Sequence, residues 1–410
     1  MREWGACRFV WNQLVQESKT RHTTNLNLLT DGVSKDDLPT FGAAEQDKHL
    51  THLRATTVDA ETGEAWLARG SSVAQQQTVK DFSAARAKAL LDRKNKVPVS
   101  KRRGLPKFKS RHTAQPTLNY TLRGFTLTPD PESGALRLRL PGNVLIPVVW
   151  SRDLPNPPSS VRVHRDSLGH WYASFVVEHE PAATPLPTGR VAGVDWGVTE
   201  TATTVTVDTV TGEVDETPEF DLPHKQHGRA AAQKLARYQR MMARRTTPRG
   251  TPNTKGYEKA KRLAAKATKK VARQRQDDAR KWAKNLVAHH DAVAVEDFKP
   301  RFLAKSSMAR KAADAAIGAT KQELIWQATK RGIPAVLVAP AYSTMDCAHC
   351  GARTKHRLPL SERTYTCTRC GVSRSRDKNS AAVMVARAGL IPVDVEGVSP
   401  EPAAAREPAA

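Results

Sequence analysis

The chain has little sulfur, a shortage of acidic residues and no long apolar stretch, and each shortage narrows what it can be. No run of about 18 apolar residues occurs, so no membrane-spanning helix is expected. The opening Met1-Arg2-Glu3-Trp4-Gly5 lacks the basic-then-apolar pattern of an export signal, and a cytoplasmic protein is expected. Cysteine occupies five of 410 positions, and a chain of this length can bury a sizeable core without disulfide staples. Asp and Glu total 41 against 65 Lys and Arg, leaving a formal charge of +24. The natural counter-charge for such a field is the phosphate backbone of DNA or RNA, with an acidic membrane surface as the weaker alternative.

Four of the five cysteines form two tight pairs, Cys347-x2-Cys350 and Cys367-x2-Cys370, separated by 16 residues. That spacing matches zinc ribbons, in which each C-x2-C turn presents two thiolates to one side of a tetrahedral ion. Four protein ligands leave no open position, so the expected zinc is structural. Disulfides fit poorly with the missing export signal. Cys7, inside a helical pattern, reads as a small packed residue.

Residues 1 to about 93 read as a small helical module, with helices over Ala6–Lys19 and Ser72–Leu91. The basic stretch 94–112 follows, where Lys107, Phe108 and Lys109 offer an aromatic among cations, either as a phosphate-gripping loop or as a solvated linker. From Leu118 to Glu178 short β-like runs predict an antiparallel sheet or small barrel, including a hairpin of Val161–His164 with Trp171–Val177. Three prolines between Pro181 and Thr188 mark a linker and place a domain boundary near 188.

Beyond it, an apolar strand Val191–Gly197 carries Asp195 near its end, and a second, Ala292–Asp297, finishes in Glu296 and Asp297. Between them lies a long basic helical region, 229–285, interrupted at 246–256. It holds 19 Lys or Arg against three Asp or Glu. Apolar stripes at helical spacing leave the other faces cationic, with Arg237, Arg240, Arg244, Arg262, Lys266 and Arg273 available to nucleic acid. A helix over Ala309–Lys330, a strand at Ala335–Val338 and a closing helix from about Lys378 to Ala388 are expected. The Pro-, Ala- and Glu-rich 391–410 reads as a disordered tail.

The C-terminal ends of neighbouring strands can bring distant residues into one cleft. Three carboxylates there would suit one or two Mg²⁺ ions, which activate water and stabilise the leaving oxygen in phosphodiester cleavage. An acid after a strand is more often a turn or cap residue, so the spacing alone leaves Asp195 and Glu296 open. Asp297 would face away from Glu296 if the strand continued.

Taken in order, these segments resemble TnpB, the RNA-guided nuclease family of bacterial insertion sequences, and its relatives the small type V CRISPR effectors. Gly193-Val194-Asp195-Trp196-Gly197 resembles the first RuvC motif and Val295-Glu296-Asp297-Phe298 the second. Arg376-Asp377-Lys378-Asn379-Ser380-Ala381-Ala382 is similar to the third. Pro340–Thr344 running into Cys347–Gly351 resembles the zinc-ribbon entry, and Gly5–Asn12, Pro106–Arg111 and Trp171–Phe175 resemble upstream family segments.

The resemblance implies an α+β multidomain protein. Residues 1–188 would form a wedge-like β-barrel with a helical recognition insert. Residues 189–390 would form a split RNase H-like (RuvC) domain, carrying catalytic Asp195, Glu296 and Asp377 on Mg²⁺, with a zinc ribbon inserted at about 343–374. It further implies a guide RNA and a target DNA as partners and RNA-guided cleavage as the activity, with the protein reading a short motif beside the target and base pairing reading the rest. The chain opens inside what resembles the family's first helix, so the first barrel strand is expected to be missing. Ser375 stands where many relatives place a further aspartate. A cleavage-deficient guided DNA-binding protein and a type V CRISPR effector are the alternatives.

Overall fold

The computed structural model describes residues 2–111, 114–180, 183, 185–248, 250–354, 356, 358–359 and 361–390. The expected tail over 391–410 and part of the proline-rich segment lie outside them. The chain divides into two compact units, 1–179 and 180–410.

In the first unit, α1 (Arg2–Thr30), α2 (Ala43–Thr56) and α3 (Ser72–Lys94) pack around Val10, Leu14, Leu50, Leu53, Val79 and Phe82. Helix α1 runs well past the expected Lys19, although its buried residues end at Val15. The Ser71 hydroxyl caps α3 by accepting from the Ala74 amide at 3.2 Å.

The strands β1 (Thr117–Thr121), β2 (Thr126–Pro129), β3 (Leu136–Leu140), β4 (Val144–Pro147), β5 (Ser160–Arg165) and β6 (Trp171–Val176) follow. They form two antiparallel three-stranded sheets, β1-β5-β6 and β2-β3-β4. Both sheets share one core of Leu118, Tyr120, Phe125, Leu138, Leu140, Val161 and Val163, to which α1 adds Trp4 and Cys7. Cys7 is buried there, and burial pushes its thiol up to about 12, which makes it a packed apolar residue.

The second unit is built on a sheet ordered β10-β8-β7-β11-β12, with β9 pairing β8. Its strands are β7 (Arg190–Trp196), β8 (Glu200–Asp208), β9 (Val214–Asp215), β10 (Leu222–Pro223), β11 (Ala292–Glu296) and β12 (Ala335–Val338). Strands β7, β11 and β12 run parallel, and β8 is antiparallel to β7. The basic region forms α4 (His227–Ala243) and α5 (Lys255–Ala288). After β11 come α6 (Ala309–Ala315) and α7 (Ile317–Arg331), and after β12 the short hairpin β13 (Thr364–Thr366) and β14 (Ser373–Ser375) leads into α8 (Arg376–Arg387).

The sheet alternates cleanly. Ala192, Val194, Trp196, Val293 and Val295 face the α5 and α7 side with Trp282, Leu286 and Leu324. Val191, Val205, Val207, Ala292 and Ala294 face α8 with Ala381, Ala382, Met384 and Val385. Alternation of side chains along a strand therefore puts Gly193, Asp195 and Glu296 on the α8 side.

One expected element is corrected. The helix over 309–330 is broken at Ala316, whose φ of +51° is left-handed. The break frees Asp314 to turn toward the start of α4, where its carboxylate accepts from the Gly228 and Arg229 amides at 2.8 and 3.0 Å. A tertiary contact across more than 80 residues overrides the local helical pattern there, and no glycine or proline marks position 316.

Candidate active site and metal centre

A close approach of helix to strand sets the geometry. A Cβ on Gly193 would lie 2.1 Å from the Ala381 carbonyl oxygen and 2.7 Å from Val385 Cγ2, so the α8 backbone rests directly on β7 at that glycine. Asp377 lies four residues before Ala381, about 6 Å back along the helix. Asp195 lies two residues beyond Gly193, about 6.6 Å along the strand on the same face. The Asp377 charge bears on the Asp195 carboxyl, so helix and strand carry the two carboxylates to the same end of the contact. In the parallel pairing Val295 sits opposite Val194, which brings Glu296 alongside Asp195.

These acids differ in what surrounds them. Among the described residues, no side-chain hydrogen bond or ion pair reaches the Asp195 carboxylate. Burial, then the neighbouring Glu296 and Asp377 charges, hold it well above the ordinary aspartate range. Glu296 accepts from the Trp196 amide at 3.3 Å, while the Trp196 indole donates to the Glu296 carbonyl at 3.0 Å. Burial raises its carboxyl to about 7 in spite of that amide and Lys321.

Asp377, about a third exposed, is drawn toward Arg376 at 3.4 Å and Arg363 at 3.6 Å. Asp297 is separate from the group: β11 ends before it, and its carboxylate pairs with Lys321 at 2.8 Å and Lys299 at 3.5 Å. The chemistry of these three oxygen donors suits a hard divalent cation, although their carboxylate oxygens do not all lie within 4.8 Å of one another. Two carboxylates short of positive charge and a third beside them supply oxygen ligands, and repulsion among them is what such an ion relieves.

The four thiols make a second centre. Among the described residues, they form the only group of three or more candidate ligand atoms lying within 4.8 Å of one another. The Cys347 and Cys370 sulfurs are 3.8 Å apart and those of Cys350 and Cys367 3.6 Å. Tetrahedral Zn–S bonds of about 2.3 Å require sulfur separations of about 3.8 Å, so the cluster fits one zinc ion with no open position. Burial raises the Cys347 and Cys350 thiols, whereas the Cys370 and Arg369 amides bring Cys367 down to about 6 against its own burial. Tyr365 is fully buried behind the cluster.

The residues expected to meet nucleic acid are spread over both units. Arg237 and Arg240 on α4, Arg244 at its C-cap, and Arg262, Lys266 and Arg273 on α5 are all exposed. In the basic loop, Phe108 is exposed with the Lys19 ammonium 4.4 Å from its ring centroid. Lys109 instead lies over Trp11 at 3.5 Å, and burial lowers its pKa. The Lys107 and Lys109 carbonyls accept from Trp11 Nε1 and Asn12 Nδ2, so the loop backbone is fastened to α1.

Sequence reasoning missed the residues that mount α8. Arg376 donates to the Pro359 and Glu362 carbonyls at 3.2 and 3.0 Å. Asn379 donates to the Asp346 carbonyl at 2.8 Å and accepts from the Ala348 amide at 3.2 Å, fixing the first cysteine turn to the helix. Lys378 binds Asp221. Polar side chains at three of the four first positions of α8 are buried. An unbroken polar run opening an otherwise apolar helix was the available signal.

Comparison with known proteins adds three findings. A family described as "Probable transposase" matches residues 174–307, and the Cas12f1-like TNB domain matches 318–384. A Streptomyces pristinaespiralis protein described as "Putative RNA-guided DNA endonuclease" is 28% identical over 366 residues, covering 88% of this chain and 83% of that protein. The Escherichia coli K12 protein InsQ, of the same description, is 25% identical over 398 residues, covering 93% and 86%. Among solved structures, the cryo-EM structure of the Cas12f1-sgRNA-target DNA complex matches with a TM-score of 0.57 at 14% identity, covering 93% of this chain and 81% of that one. At that identity the likeness is one of fold.

Proposed function

We propose that this chain, whose transposase and Cas12f1-like segments bear out the TnpB-family resemblance, is an RNA-guided DNA endonuclease of a transposable element. It would act in the cytoplasm on DNA targets selected by a guide RNA. What supports the reading is that Asp195 and Glu296 lie on neighbouring strands under α8 and that the Asp377 charge bears on Asp195.

In this reading the second unit is a RuvC-type nuclease domain, and the thiol cluster is its structural zinc ribbon. The two small sheets of the first unit form the wedge, and its three helices form the recognition module. Mg²⁺ bound by the three carboxylates would supply a nucleophilic water and stabilise the leaving oxygen. The chain's own part is to hold the carboxylates in place. Asp195 is aimed by the strand, Glu296 is fixed by the Trp196 amide and indole contacts, and Asp377 is fixed by the mounted first turn of α8. The cationic faces of α4 and α5, with Lys107, Phe108 and Lys109, would grip guide and target backbones.

The test is cleavage of a plasmid bearing the matching target by the purified protein, its cognate RNA and Mg²⁺. Asp195→Ala and Glu296→Ala are expected to lose more than the roughly 10- to 100-fold that changes outside the ligand shell cost. Cleavage by either variant at the parent's rate would reject the site.

A further inference from the structure

Lys378, the residue after Asp377, points its ammonium into the protein. It donates to both Asp221 carboxylate oxygens at 3.0 and 2.9 Å, to the Thr204 carbonyl at 2.8 Å and to the Thr217 carbonyl at 3.3 Å. These partners account for all three ammonium donors. Asp221 also accepts from the Thr204 amide at 2.6 Å and hydroxyl at 3.1 Å. Both side chains are largely buried, at 11% and 16% exposed. Asp221 is in turn held from behind. Phe220 before it is buried in the core, and its carbonyl accepts from the Trp282 indole at 2.7 Å.

The position of this pair gives it a role. Thr204 lies on β8 opposite Val194, and the next pair along is Thr203 with Asp195. Asp221 therefore joins the strand beside Asp195 to the helix turn that carries Asp377. Successive residues of a helix are turned by about 100°, so fixing Lys378 fixes the rotation of α8 and with it the direction of its neighbour. Resting on the metal-dependent reading above, we infer that Asp221 and Lys378 are positioning residues that set the aim of Asp377 relative to Asp195, and that the pair acts on divalent-ion binding without touching the ion.

The experiment measures Mn²⁺ binding to the full-length protein by electron paramagnetic resonance of free Mn²⁺, with thermal unfolding followed in parallel. Asp221→Asn and Lys378→Met change the local charge in opposite senses. If the pair acted only through its electric field, the first would weaken cation binding and the second would strengthen it. Positioning predicts that both weaken it, by about 10- to 100-fold, as changes behind metal ligands do. Leu324→Ala, a buried change in α7, should lower the melting temperature while leaving Mn²⁺ affinity within about twofold of the parent.

Opposite shifts for the two variants overturn the inference. So does unchanged affinity in both while Asp377→Asn still weakens binding, or an equal loss in Leu324→Ala. If Asp377→Asn itself binds Mn²⁺ like the parent, the carboxylate site fails and the inference falls with it. Should Asp221→Asn not fold, Lys378→Met decides alone, because its expected direction is opposite to that of a field effect.

Discussion

Asp195, Glu296 and Asp377 differ in what their carboxylate oxygens meet: among the described residues, no hydrogen bond or ion pair for Asp195, the Trp196 amide for Glu296, and two guanidinium groups for Asp377. In the sequence, the ends of apolar runs left Asp195 and Glu296 open as candidates, and it was the family resemblance that singled them out together with Asp377. Asp221 was not legible, since its value lies in a contact 157 residues away in sequence. The same is true of His290, which is fully buried with Nε2 2.9 Å from the Thr206 hydroxyl and Nδ1 2.7 Å from the Leu286 carbonyl. Burial, aided by His289 and Arg190, holds this imidazole below its ordinary range. The unfolded chain therefore takes up a proton that the folded chain refuses. The stabilising contribution is complete above about pH 6.5 and is lost as pH falls below it, at no more than about 1.4 kcal/mol per pH unit. Melting temperatures of the parent and His290→Gln, measured from pH 7.5 to 5.5, should converge toward acid. A constant gap would show that the imidazole titrates alike in the folded and unfolded chains.

At the scale of elements, the contact between β7 and α8 depends on one missing side chain. Gly193→Ala would drive a methyl group into the Ala381 carbonyl at 2.1 Å, and backbone cannot yield as a flexible side chain can. Helix and strand must separate, costing about 1–3 kcal/mol as overpacking does. Because Asp377 rides on that helix, cleavage should fall further than the lost stability explains. Turnover measured well below the melting temperature, where the variant is folded, checks this. The ribbon is the other support of α8, through Asn379 and Arg376. Cys350→Ser should lower bound zinc, read by metal analysis, from about one per chain toward zero. It should also abolish cleavage with all three acids intact, since structural zinc sites hold their folds together. Full cleavage by zinc-free protein would show that α8 stands without the ribbon. Strand and helix positions were readable from alternation and helical spacing, whereas the break at Ala316 was hidden because Asp314 answers to α4 rather than to its own sequence neighbours.

For the whole molecule, charge is the property that sequence displays most fully and folding rearranges least. The chain carries +24, and residues 229–285 alone contain 19 cations against three anions. The structure explains why that density is tolerated. Helix α4 buries none of its residues, and the 34-residue α5 buries mainly its last third, so the cationic faces stay in water where like charges are screened. A surface of this kind gains binding free energy by releasing counterions from a polyanion, and each phosphate contact steepens the dependence of log K on log salt by about 0.7 to 0.9. Replacing Arg237, Arg240 and Arg244 together by Gln should therefore reduce the magnitude of the slope by about 2 to 3, weaken binding to matched and unmatched nucleic acid alike, and leave the melting temperature nearly unchanged. Filter binding across about 50 to 300 mM salt reads the slope directly. A slope equal to the parent's would mean that α4 faces solvent in the complex, and the grip would have to be sought in α5 and the loop at 107–109.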